Sequence, residues 1–193
     1  MTDEIGRGSL CAAMTRPSLY PVLLMIACLC ALTPGMAHAR VMVLFHSFNG
    51  SLFFGRYPHA FIELSGTLDA DGRVIHENYG YTGNGTAMQA LAGPMPGTIA
   101  SEKEDYVKST NVHFAVPISD QQYFAIRQEI ERWRSGPEST YNLETHNCVN
   151  FVARIAELVG LKSEVPRSFE KRPKAWLNYL IGLNPQLHAQ PIK

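Results

Sequence analysis

Beyond an apolar segment near its beginning, the chain contains only one cysteine, Cys148, which excludes an internal disulfide from that larger part. The other three cysteines lie inside the apolar segment or before it, at Cys11, Cys28 and Cys30. The roughly 150 residues that follow the segment suffice for one domain with a hydrophobic core but not comfortably for two. We therefore expect residues 40–193 to form a single domain that depends on its core for stability.

The apolar segment, residues 19–32, has the features of a secretory signal peptide. Arginines precede it, and the small residues Ala37 and Ala39 follow it, so we expect cleavage after Ala39 and a leader of residues 1–39. A start at Met14 would give a leader of more ordinary length. An uncleaved anchor is the alternative, although the segment is shorter than the roughly 20 residues of a spanning helix. The sequence thus predicts a periplasmic or secreted protein that contacts the membrane only through an uncleaved leader.

The charge pattern argues against nucleic acid as a partner. The chain has 17 basic and 17 acidic residues, and they are mixed along its length without a basic run. No pair of cysteine and histidine residues has the spacing of a zinc site. We therefore expect neither a metal nor a cofactor.

Alternating apolar residues and turn signals predict an antiparallel hairpin. In the segment 59–64, Ala60, Ile62 and Leu64 share one face, which is the pattern of a half-buried strand that starts at His59. The turn sequence 69–72 then leads into a second predicted strand, 73–81. Two further strands are predicted at 41–45 and 111–116.

Three helices are predicted around this sheet. One runs from a capping box at Ser119 and Gln122 to Gly136, the second covers 147–158, and a short one covers 174–181. The glycines from Gly80 to Gly85 are expected to loosen the chain, and 87–100 is expected to be loop-like or a short helix. The fold class is therefore α+β, with a small antiparallel sheet packed against the helix that carries Cys148.

The position of Cys148 favours a nucleophile over a structural cysteine. It lies in the first turn of a predicted helix, where unpaired N–H groups and the helix dipole stabilise a thiolate. Such a thiol needs a histidine as its base and a polar group that orients the histidine. His59 is the best candidate for the base because it begins a strand on the face opposite the apolar stripe, and His46 is its rival.

The polar group that orients the histidine is expected on the returning strand. There His76, Asn78 and Thr82 share one face, and we favour Asn78 and then His76. A shift of one residue in strand pairing would present Glu77 and Tyr79 instead, and the sequence does not fix this register.

These residues resemble a known family. The segment His-Ala-Phe-Ile-Glu from His59, followed by Tyr-Asn-Leu-x-x-x-Asn-Cys-x-x-Phe-Val from Tyr141, is similar to the circularly permuted NlpC/P60 papain-like hydrolases, which include the lecithin retinol acyltransferase-like group. The resemblance covers roughly His59 to Leu161. Permuted members place the histidine before the cysteine, as this chain does.

The resemblance implies a papain-like fold and a cysteine hydrolase, an amidase or peptidase that acts through an acyl-thioester. Cys148 would be the nucleophile and His59 the general base, and the N–H of Cys148 with the segment 141–147 would bind the oxyanion. The expected substrate is a cell-wall peptide or a similar peptide. The alternatives are a lipid-directed thiol acyltransferase or thioesterase, and an inactive binding module of the same fold.

Overall fold

A computed structural model describes residues 41–50, 57–136 and 139–193 of the chain. The predicted leader, its cleavage position and the alternative start at Met14 lie outside the described residues. The elements, in chain order, are β1 (Val41–Phe48), β2 (His59–Thr67), β3 (Val74–Gly83), α1 (Ala87–Ala92), β4 (Met95–Ala100), α2 (Glu104–Lys108), β5 (Asn111–Ile118), α3 (Asp120–Ser135), β6 (Thr140–Tyr141), α4 (Cys148–Leu158) and α5 (Pro173–Leu183).

The fold is α+β, as predicted, and it is built around one antiparallel sheet. Its six strands have the order β5-β1-β2-β3-β4-β6. The four strands predicted from sequence correspond to β1, β2, β3 and β5, and the three predicted helices correspond to α3, α4 and α5. β2 and β3 thus lie at the centre of the sheet, where neighbouring strands hold them on both sides.

The predicted hairpin of β2 and β3 is confirmed, and its turn is tied to a helix. The backbone N–H of Gly72 donates to the carbonyl of Leu68 at 3.0 Å, and Gly72 has a φ of 71°, which a glycine adopts without strain. The carboxylate of Asp120, at the start of α3, accepts hydrogen bonds from the N–H groups of Asp69 and Ala70 at 3.1 and 2.8 Å. These contacts fix where α3 begins relative to the hairpin.

The structure resolves the strand register that the sequence left open. Glu63 of β2 lies opposite Asn78 of β3, and Ser65 lies opposite His76. His76 and Asn78 therefore point to the same face of the sheet as His59. Glu77 lies on the other face, where Arg127 of α3 forms an ion pair with it at 2.6 Å. The register that we favoured is therefore the one found.

β2 is buried on both faces, whereas the sequence predicted a half-buried strand. One face lies in the hydrophobic core and is formed by Ala60, Ile62 and Leu64. Phe61 points to the opposite face and is also fully buried. Its ring stacks on His46 at a centroid distance of 4.7 Å and lies 6.1 Å from Tyr106. His46 of β1 and Tyr106 of the unpredicted helix α2 thus both contribute to covering this face.

Helices α3 and α4 pack against one side of the sheet, and the hydrophobic core lies between them and the sheet. Tyr81 of β3 meets Trp133 of α3 edge-on at 4.8 Å between centroids, and Trp133 meets Phe151 of α4 in the same way at 5.4 Å. The capping box at Ser119 and Gln122 is present. Burial of these large rings stabilises the packing of both helices.

The segment 87–100 contains a strand as well as the short helix that the sequence allowed for. Gly93-Pro94 and Pro96-Gly97 favour loops in a sequence, yet β4 pairs with β3 on one side and β6 on the other. Gly97 is needed in β4, because a Cβ atom at this position would lie 2.1 Å from the hydroxyl oxygen of the buried Tyr81. Tertiary packing therefore stabilises β4 as a strand, although its prolines and glycines locally favour a loop.

We predict that Gly97→Ala destabilises the protein by about 1–3 kcal/mol, because the new methyl group must displace the fully buried Tyr81. Gly182→Ala is the matched control, since nothing lies within 4 Å of a Cβ at that helical position. The control should be neutral or stabilising by up to about 1 kcal/mol. Urea denaturation followed by circular dichroism measures both. Equal midpoints for the two variants would contradict this account of β4.

Candidate active site

The start of α4 is fixed by Asn147, which is 1% exposed. Its side-chain oxygen accepts from the N–H of Val149 at 2.8 Å, and the side chain of Asn150 accepts from the N–H of Asn147 at 2.9 Å, which together make a capping box. The Asn147 amide also donates to the carbonyls of Leu143 and Glu170 at 2.9 and 3.0 Å. Asn147 therefore joins the helix start to the segments on either side of it.

Cys148 lies in the first turn of α4, as predicted, where it is the first residue, and it is 6% exposed. The backbone N–H groups of Ala60, Val149 and Cys148 itself favour the thiolate, but burial outweighs them and raises the pKa of Cys148 to about 11. Because Ala60 follows His59 directly, the thiol lies beside the start of β2. A helix start alone led us to expect a stabilised thiolate, whereas burial keeps the Cys148 sulfur protonated at neutral pH.

His59 is the first residue of β2 and is half-buried. Burial lowers its pKa to about 4, so the ring is neutral at neutral pH and can accept a proton. Gly80 of β3 makes room for the ring, since a Cβ atom there would lie 2.4 Å from Nε2 of His59. The ring also stacks at 14° to Phe61, with the centroids 6.2 Å apart. Packing against Gly80 and Phe61 therefore limits where the imidazole can point.

Cys148 and His59 line the same cleft, which has a volume of about 430 Å³. One wall is apolar and is formed by Ala90, Leu91, Met95 and Leu143. Burial raises the pKa of Tyr141, which lines the cleft, and the charge of a thiolate at Cys148 raises it further. Tyr141 therefore brings a protonated hydroxyl, a hydrogen-bond donor, to the cleft of Cys148. The arrangement combines a thiol, a neutral base and N–H and O–H donors.

The structure does not bring Asn78 or His76 to the His59 ring. The side chain of Asn78 is bonded to the backbone of Glu102, with its amide donating to the carbonyl at 3.0 Å and its oxygen accepting from the N–H at 2.6 Å. His76 has a side chain that is 71% exposed, and its Nδ1 lies 3.8 Å from the carboxylate of Glu63. Within the described residues, packing takes the place of a polar side chain in orienting His59.

The remaining histidines of the core have structural partners. His46, the rival base, is 1% exposed, with Nδ1 2.9 Å from the hydroxyl of Thr110 and Nε2 3.2 Å from the carboxylate of Glu63. His113 is 5% exposed, and its Nε2 lies 2.8 Å from the hydroxyl of Ser47. Neither ring lines the cleft. His59 is therefore the histidine of the described residues that faces the cleft of Cys148.

The sequence analysis does not predict the role of Gly80, which gives the His59 ring its space. A glycine inside a strand is itself a signal that another group approaches closely. Glu102 and Lys171 also line the cleft, and they come from loops far apart in the sequence. No local pattern marks such residues, because tertiary packing alone brings them together.

The comparisons with known proteins add no assignment: no family model, curated protein or solved structure matches this chain. Across the described ranges, no group of three or more histidine, cysteine, aspartate or glutamate side chains could hold a metal ion. No helix in those ranges is long and apolar enough to span a bilayer. The function must therefore be argued from the cleft.

We predict that His59 makes the fold sensitive to acid. Its pKa falls from 6.5 to about 4 on folding, so the unfolded chain takes up the proton more readily, and stability is lost as the pH drops from about 6.5 towards 4. A difference of this size corresponds to about 3 kcal/mol. His59→Gln should remove the part of this acid-induced loss of stability that His59 causes, as measured by urea denaturation at several pH values. An unchanged acid dependence in the variant would contradict burial of a neutral ring.

Proposed function

We propose that the protein is an exported cysteine hydrolase, an amidase or peptidase of the permuted NlpC/P60 papain-like type. The observation that carries the proposal is that Cys148, at the capped start of α4, shares one cleft with His59 at the start of β2. The order of histidine and cysteine and the motifs around them support the family assignment. A single nucleophile, a base and donors in one cleft suit acyl transfer.

In the first half of the reaction, the sulfur of Cys148 attacks the substrate carbonyl carbon. Both partners start uncharged, because burial raises the pKa of Cys148 to about 11 and lowers that of His59 to about 4. The thiol proton passes to His59 as the C–S bond forms, so no buried ion pair has to exist before the attack. His59 then gives this proton to the leaving nitrogen or oxygen as its bond to carbon breaks.

The oxyanion that forms needs hydrogen-bond donors near the sulfur. We assign this role to the backbone N–H of Cys148 and to the hydroxyl of Tyr141, which lines the same cleft. In the second half, water attacks the thioester carbonyl and gives its proton to His59, which returns it to the sulfur. The products are the free amine or alcohol, the carboxylic acid and the restored thiol, so no cofactor is required.

A peptide, including a cell-wall peptide, is the first substrate class that we propose. The apolar wall formed by Leu91, Met95 and Leu143 favours a second candidate, a lipid-directed thioesterase or acyltransferase. Leu91 of this wall is 62% exposed, and Met88 of the same helix, α1, is 74% exposed. An apolar part of the substrate fits this wall in either case.

The test is capture of the acyl-enzyme. Incubation with p-nitrophenyl acetate should place one acetyl group on the peptide that contains Cys148, as seen by mass spectrometry. Cys148→Ala should abolish this adduct. Gly80→Ala, which would displace the His59 ring, should slow its formation by about 100-fold or more, because a misplaced base loses most of its effect.

Gly182→Ala is the matched glycine control and should acylate at the wild-type rate, since no group lies near that position. Circular dichroism shows whether each variant is folded. A folded wild-type protein whose Cys148 does not acylate would reject the hydrolase and favour the inactive binding module. Normal acylation of Gly80→Ala would reject His59 as the base.

A further inference from the structure

A second depression adjoins the cleft of Cys148. It has a volume of about 480 Å³, and it shares three lining residues with the cleft, which are Pro58, Lys171 and Pro173. It continues from this shared edge along the first two turns of α5 to Asn178. A substrate held at Cys148 can therefore extend into this space, which we call the cationic depression.

The charged residues that line this depression are all basic. They are Lys171, Arg172 and Lys174, and none of the described residues lining it is acidic. Arg172 is exposed and forms no ion pair within the described part of the chain, while Lys171 pairs at the surface with Glu144, at 2.5 Å, with both side chains more than half exposed. The ammonium of Lys174 donates to the backbone oxygen of Lys193 at 2.5 Å, also in an exposed contact. Such exposed contacts are weak, so both lysines can turn to another anion.

The cleft differs from the depression in chemistry. The cleft carries the apolar Leu91, Met95 and Leu143, and its charged lining is Glu102, Glu170 and the shared Lys171, whereas Arg172 and Lys174 belong to the depression alone. His59 directly follows the shared Pro58, and Cys148 lines the same cleft. A ligand that spans both spaces would place apolar atoms against the wall and a negative group against Arg172 and Lys174. Guanidinium and ammonium groups bind carboxylate and phosphate through charge-assisted hydrogen bonds.

We propose that the substrate is an amide or ester that joins an apolar part to an anionic part, and that the cationic depression binds the anion. This rests on the proposed function for the bond that is cleaved, but the binding itself does not require catalysis. The anion is a carboxylate, as in an acylated amino acid or a short peptide, or a phosphate. Selection of such compounds would explain why the apolar wall and the cations lie on one continuous surface.

The experiment measures binding to the full chain with Cys148→Ala, which cannot turn the ligand over. The probes are N-phenylacetylglycine, its uncharged amide N-phenylacetylglycinamide, and the phosphate ester of N-phenylacetylethanolamine. We expect the charged probes to bind about tenfold more tightly than the amide, as measured by calorimetry. The double change Arg172→Gln and Lys174→Gln should remove this preference and leave binding of the amide unchanged.

Arg134→Gln is the matched control, because Arg134 is a surface cation of α3 that pairs with Glu131 and does not line either space. It should keep the preference. Equal binding of all three probes, or a preference that survives the double change, would overturn the proposal. If one charged probe binds more tightly than the other, its anion, carboxylate or phosphate, is the one that the depression prefers. Anion preference without acylation of Cys148 would retain this site and reject the hydrolase.

Discussion

The candidate site depends on the buried hydrogen bonds of Asn147. Its side chain caps α4 through the N–H of Val149 and also binds the carbonyls of Leu143 and Glu170, so one residue holds the helix, the preceding loop and the following loop together. Loss of such buried bonds leaves several polar groups without partners, which costs more than an exposed cap. These hydrogen bonds, and not the helix alone, therefore set the position of the Cys148 sulfur.

Burial then decides the protonation of the pair. The helix start and the N–H of Ala60 favour a thiolate, yet desolvation has the larger effect and raises the pKa of Cys148 to about 11. The same effect lowers the pKa of His59 to about 4. Burial therefore keeps both the Cys148 thiol and the His59 ring, which line the same cleft, uncharged at neutral pH.

The strongly patterned parts of the fold could be predicted from sequence. The alternation in β2, the turn before β3 and the capping box at Ser119 are local signals, and each specifies its element. Cys148 and His59 could be chosen as candidates because the sequence places both at the start of an element. The partners of Asn78 and His76 could not be predicted, since Glu102 and Glu63 reach them through tertiary packing. β4 was missed because its prolines and glycines favour loops, while pairing with β3 overrides that preference.

The most direct test of this account is the pH dependence of alkylation at Cys148. The rate of reaction with iodoacetamide, followed by mass spectrometry at the peptide that contains Cys148, reports the thiolate fraction because thiolate is the reactive form. The account predicts slow alkylation at neutral pH that rises towards a pKa of about 11. A thiolate already formed below about pH 7, and lost in His59→Gln, would show a charged pair at rest and contradict the neutral pair.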